Sequence, residues 1–136
     1  MIRYLLDTNI VIYVIKRRPP EVLQTFNQNS GRMAISSITL AELFHGAEKS
    51  TRMADNLRVI EDFTSRLEVL PYTAKAAQSY GSIRATLEMQ GQTIGVNDLH
   101  IAAHARSEGL VLVTNNMGEF ARVPALEAEN WVQTAQ

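Results

Sequence analysis

The chain has 136 residues, 46% of them hydrophobic and 20% charged, which suits one globular domain with its own core over residues 1–136. It has no cysteine, which excludes a disulfide framework and thiolate metal sites, and no apolar run near the roughly 20 residues that span a bilayer. The formal net charge of −1 argues against a dedicated DNA-binding module, and a signal-peptide pattern is missing, so the expected location is the cytoplasm.

Residues 2–6 read as a buried strand, broken at once by Asp7. Residues 8–16 read as a short helix stopped by Pro19-Pro20, and 21–28 as the next, ended near Asn29-Ser30-Gly31. Residues 33–36 are a second strand. At the start of a helix over 39–49, Thr39-Leu40-Ala41-Glu42 fits a capping box, in which hydroxyl and carboxylate satisfy the first backbone N–H groups. Residues 53–66 place Ala54, Leu57, Ile60 and Phe63 or Thr64 near a helical period. A short strand over 68–70 stops at Pro71, and a long helix over 73–90 closes at Gly91. Asn97 or Asp98 is expected to cap a helix that runs to residue 107 and closes at Gly109. The apolar run 110–113 suits a central parallel strand. Residues 120–123 and 131–132 are expected as one more strand and a last edge. Strands alternating with helices predict an α/β domain with a mostly parallel sheet and right-handed crossovers.

In such a sheet, strand carboxyl ends and the following helix starts share one edge. Asp7, Glu42, Asp98 and the 115–119 turn with Glu119 all fall there by topology. Each acid alone has a plain explanation: Asp7 and Asp98 as helix caps, Glu42 as the capping-box acid, Glu119 as a surface residue. Together they would repel unless some stay protonated or a cation binds. Hard oxygen ligands without cysteine suit Mg²⁺ or Mn²⁺, ions that activate water and stabilise charge on a phosphodiester. Thr8 and Asn9 behind Asp7, and Thr114, Asn115 and Asn116 before Glu119, are candidates to orient these carboxylates. His100 and His104 have i, i+4 zinc spacing, but no Glu follows His100 and His45 has no link to the pair. Lys16-Arg17-Arg18 and the looser group Lys49, Arg52 and Arg58 read as solvated faces.

Four segments carry a resemblance: Leu5-Leu6-Asp7-Thr8-Asn9, the run 37–47 around Glu42, Asn97-Asp98-Leu99-His100-Ile101-Ala102-Ala103-His104-Ala105, and the run 113–123 around Glu119. In order and spacing they resemble the signature blocks of the PIN-domain nucleases, and more narrowly the VapC toxins of bacterial toxin–antitoxin pairs. The resemblance covers nearly the whole chain, including Trp131. It implies a PIN-like three-layer α/β/α fold and an endoribonuclease whose Mg²⁺ or Mn²⁺ is held by Asp7, Glu42, Asp98 and Glu119. It implies RNA products with 3′-hydroxyl and 5′-phosphate ends, a homodimer, and neutralisation by a small VapB-type antitoxin. The antitoxin's tail would cross the active-site groove while its N-terminal part binds operator DNA, so that DNA is reached only through the antitoxin. Similarity to enteric VapC proteins points to initiator tRNA, cut in its anticodon loop. One departure stands out: many relatives have Asp where this chain has Glu119, and others have an acid where it has Asn116, so the fourth ligand could act through water.

Two other readings remain open at this stage. A phosphohydrolase or phosphotransferase of the haloacid-dehalogenase type would use Asp7 as nucleophile. It wants a second acid where Asn9 stands, and a late-strand Lys that residues 113–116 do not offer. A non-enzymatic PIN-like binding subunit would use the acids only as caps and would not bind Mn²⁺.

Overall fold

The computed structural model describes residues 1–132. In chain order the elements are β1 (Tyr4–Leu6), α1 (Thr8–Lys16), α2 (Pro20–Gln28), β2 (Met33–Ser36), α3 (Ser37–Glu48), α4 (Met53–Thr64), β3 (Glu68–Leu70), α5 (Ala74–Met89), α6 (Val96–Glu108), β4 (Val111–Val113), α7 (Met117–Phe120) and β5 (Ala128–Glu129). The strands form one sheet in the order β3-β2-β1-β4-β5, and every pairing is parallel. β1 lies in the middle, with Leu5 opposite Ala34 of β2 and Leu112 of β4.

Parallel strands joined by crossover helices are covered on both faces, so their residues must be apolar in both directions. β1 meets that demand by alternation: Tyr4 and Leu6 face a cluster with Ile10, Val11, Phe26 and Phe63, while Leu5 faces one with Ile83, Leu87, Ile101 and Phe120. Helices α1 to α4 supply the first layer and α5 to α7 the second, which gives the expected three layers. Among the described residues no helix is long and apolar enough to cross a membrane.

Five local expectations are corrected. The helix expected from residue 39 starts two residues earlier, because β2 runs into α3 without a loop. Ser36, the last strand residue, is the cap: its hydroxyl accepts from the Ile38 N–H at 3.0 Å. Thr39 sits inside the first turn, fully buried, so the Thr39–Glu42 capping box does not form. Likewise α6 begins at Val96 with Gly95 as its cap position, and neither Asn97 nor Asp98 caps it.

Residues 120–123 are not a strand. Their N–H groups are spent locally, on the carbonyls of Asn116, Met117, Glu119 and Phe120, which winds the segment into α7 and a following turn. Residues 131–132 are not the edge either; that place belongs to β5. Trp131 instead packs edge-on against Tyr4, with ring centroids 5.4 Å apart, and donates its indole N–H to Glu129.

Ser36 also meets His104 Nδ1 at 2.8 Å, so its hydroxyl joins the α3 cap to a buried partner on α6. Ser36→Ala is expected to lower stability by about 1–2 kcal/mol, the upper range for a lost cap, measured as a shifted urea midpoint with unchanged slope.

Candidate functional site

Asp7 leaves the end of β1 and is buried. Its backbone N–H donates to the Val113 carbonyl, which holds the residue against β4. One carboxylate oxygen accepts from the Thr8 N–H at 2.7 Å, capping α1 as expected. The other accepts from the Thr114 hydroxyl at 2.8 Å. Glu42, one turn into α3, accepts from the Thr8 hydroxyl at 2.6 Å and from the Asn97 amide at 3.2 Å. Glu119 of α7 accepts from the Asn116 amide, and from the Gly95 N–H at 2.9 Å. Asn116 in turn donates its N–H to the Thr114 hydroxyl at 3.0 Å.

These bonds close a circuit. It runs from Glu42 through Thr8 to Asp7, through Thr114 and Asn116 to Glu119, and through Gly95 and Asn97 back to Glu42. Three strand-to-helix junctions, β1–α1, β2–α3 and β4–α7, and the junction between α5 and α6 that carries Asp98 after a helix and not, as expected, after a strand, are thereby fixed at one edge of the sheet. Asp98 belongs to the first turn of α6 between Gly95 and the helix body, within electrostatic reach of the other three acids. Three of the four acids, Glu42, Asp98 and Glu119, are not helix caps, so capping does not explain their presence.

The charges are crowded. Burial pushes the Asp98 carboxyl up to about 7, helped by the negative charges of Asp7, Glu119 and Glu42. Burial also raises Asp7, with its two hydrogen bonds pulling the other way and Glu42 and Glu119 adding to the rise. Glu119 is lowered, first by the Gly95 N–H and then by the Asn116 amide, with further help from Arg122.

Such a set fits a hard divalent cation in donor type and in charge: all oxygen, acidic, and costly to ionise without a counter-charge. Among the described residues, no three of these side chains already converge as a cation cage. The hydrogen bonds explain why. Asp7 uses both oxygens on Thr8 and Thr114, and Glu42 is drawn towards Thr8 and Asn97.

The comparisons with known proteins fit this geometry. The PIN domain pattern matches residues 4–126. The chain belongs to the PIN-domain family. It is 64% identical to ribonuclease VapC2 of Haemophilus influenzae over 132 residues, 97% of this chain and 100% of that one. It is 53% identical to the tRNA(fMet)-specific endonuclease VapC of Shigella flexneri, over 96% of this chain and 99% of that one. The structure superposes on VapC in the DNA-bound VapBC complex of Salmonella typhimurium with a TM-score of 0.93 and 51% identity, covering 97% of this chain and 100% of that chain. The all-parallel five-stranded sheet is thus that of a PIN domain.

Within this PIN domain the orienting residues sort differently from expectation. Thr8, Thr114 and Asn116 hold carboxylates as anticipated. Asn9 is exposed on α1 and holds none of them. Asn115 turns its amide to the Tyr13 hydroxyl at 2.8 Å instead, because the strand end alternates sides and faces α1 there. Asn97 and the Gly95 N–H were not anticipated. Their signal was adjacency to Asp98: a polar residue and a glycine at a helix start, both able to donate to an acid across the cleft. The histidines build no zinc site: His100 Nδ1 meets the Tyr72 hydroxyl at 2.8 Å, and buried His104 is engaged by Ser36.

The raised carboxyl of Asp98 sets the sign of a pH effect. An acid whose pKa is higher folded than unfolded costs stability once it ionises. The cost is absent below the unfolded value of about 4 and complete above the folded value. In chelator, Asp98→Asn is expected to melt above the parent at about pH 8 and together with it at about pH 4. Thermal melts across that range check this.

Proposed function

We propose that this chain is a metal-dependent endoribonuclease, the toxin of a VapBC-type pair. The observation that carries the reading is the closed circuit that ties Asp7, Glu42 and Glu119 together at the carboxyl edge of a parallel sheet with Asp98 beside them, where three of the four have no structural duty as caps. Asp7, Glu42 and Asp98 would hold Mg²⁺ or Mn²⁺, with Glu119 completing the set. When bound, the cation supplies charge stabilisation for the phosphodiester and acidifies a water for attack.

The chain's own groups do the rest. Thr114 and the Thr8 N–H fix both Asp7 oxygens, so the buried acid offers one orientation. Thr8 and Asn97 aim Glu42 from opposite sides, and Asn116 with the Gly95 N–H does the same for Glu119. With its carboxyl pushed up to about 7, Asp98 is only partly ionised near neutral pH without a cation, and a bound cation would favour its ionised form. Attack on phosphorus with departure of the 3′-oxygen leaves 3′-hydroxyl and 5′-phosphate ends.

The relative from Shigella flexneri is named as specific for tRNA(fMet). Initiator tRNA, cut in its anticodon loop, is therefore the substrate we propose. The whole of residues 1–136 acts as one cytoplasmic nuclease domain, paired as a homodimer. RNA end-mapping after brief induction in cells should show one dominant cut in that loop. Scattered cuts across messenger RNA would overturn the substrate, and no metal-dependent cut at all would overturn the nuclease reading.

Asp7→Asn is expected to abolish cleavage. The parent's melting temperature should rise with millimolar Mn²⁺, since an ion that binds only the folded form stabilises it. That rise should vanish in the variant. A parent melting curve indifferent to Mn²⁺ and Mg²⁺ would favour a binding subunit without catalysis.

The antitoxin tail, in this reading, runs beside the site. A groove of ≈ 360 Å³ between α1, α3 and α4 is floored by Ile12, Ile15, Leu43, Ala47, Val59 and Ile60, with Thr8 and Glu42 at its acidic side. Phe44 is exposed outside it, and Leu57 packs on the core. An apolar tail ending in Arg would fill the groove and pair with the carboxylates. A peptide copy of the cognate tail should block cleavage, and replacing its basic residue with Ala should weaken inhibition without abolishing binding. Full inhibition by a tail without basic residues would show that coverage alone suffices.

A further inference from the structure

We infer that Gly95 is a positioning residue of the carboxylate site: its missing side chain keeps the face shared by Asp98 and Glu119 open to the cation and the scissile phosphate. The inference rests on the nuclease reading above and deepens it.

The backbone does not require glycine at this position. Gly95 has φ −60° and ψ 150°, values that any residue adopts. Three other glycines, Gly31, Gly91 and Gly109, have φ of +65° to +83° and so serve the left-handed turns that glycine favours. Packing does not require glycine at 95 either. A Cβ built there has two neighbours within 4 Å, and both are carboxylate oxygens: Asp98 Oδ2 at 3.9 Å and Glu119 Oε1 at 4.0 Å. At every other glycine a Cβ would meet nothing within 4 Å. A methyl at 95 would therefore stand against both acids without touching the core.

Capping does not account for it. Gly95 is the cap position of α6 but has no side chain to bond the first turn, whereas Ser or Asp would supply that bond. The position forgoes a stabilising hydroxyl, and what it keeps is open space in front of two carboxylates. Meanwhile its N–H holds Glu119 Oε1, a bond that Ala would retain. Donor and vacancy thus come from the same residue. The backbone pins one acid, and the absent side chain leaves room beside it for the ion's water shell or a phosphate oxygen.

The test compares Gly95→Ala and Gly95→Ser with the parent and with Gly81→Ala, whose methyl on α5 meets nothing. Two readouts are taken on purified protein: RNA cleavage, and the Mn²⁺ concentration that gives half of the thermal stabilisation. In chelator, Gly95→Ser is expected to melt at or above the parent, because a cap bond is gained. Gly95→Ala is expected to need about tenfold more Mn²⁺, the loss usual when a residue supporting metal ligands changes. Its cleavage should fall about 100-fold, as for a misplacement of about 1 Å at a reacting centre. Gly81→Ala should match the parent in both. Parent-like Mn²⁺ response and cleavage in Gly95→Ala would overturn the inference while leaving the nuclease reading intact. A parent that neither responds to Mn²⁺ nor cleaves RNA would overturn both.

Discussion

The two hydrogen bonds accepted by the buried Asp7 carboxylate hold the rest of the site in place. One comes from the adjacent Thr8 N–H, the other from Thr114, 107 residues away in the chain. A carboxylate removed from water is unfavourable unless its oxygens find donors, and these two supply them. Because Asp7 sits at the end of the middle strand, every other acid is placed relative to it. Thr8 extends the link to Glu42, and Thr114 extends it through Asn116 to Glu119.

That scaffold holds like charges together against their repulsion. Asp98 shows the cost most clearly, since its carboxyl is pushed to about 7 while Glu119, better supplied with donors, goes the other way. Two acids at one edge are thus shifted in opposite directions, Asp98 upward first by burial and Glu119 downward first by its bond from the Gly95 N–H. The apolar cores on both faces of the sheet supply the stability that tolerates this arrangement.

Much of this was legible in the sequence. The β1, β2 and β4 segments are short apolar runs each followed by a polar residue, a pattern that parallel strands share with few alternatives. The four acids were found because each follows such a run or opens the next helix. What was not legible depended on tertiary contact. Whether Ser36 or Thr39 caps α3 turns on where β2 ends, and both hydroxyls satisfy the local rule. Residues 120–123 have strand-like apolar character, yet their N–H groups found partners within one turn. Asn9 and Asn115 look as suitable as Thr8 and Asn116 by residue type. Helical and strand geometry, which turns neighbours to different sides, decides between them.

The parallel order β3-β2-β1-β4-β5 has a consequence for the growing chain. No strand pairs with its partner through a tight hairpin, so each contact waits for a long connection to be made. The free edge of β1 in particular stays bare until residues 111–113 arrive. Until then Asp7 has no Thr114 and Gly95 has no Glu119 within reach. Synthesis from the N-terminus therefore delivers the acids one at a time, and the assembled edge exists only once residues 111–119 have left the ribosomal tunnel. A truncated product ending before β4 would hold three of the acids in its chain and no organised centre in space.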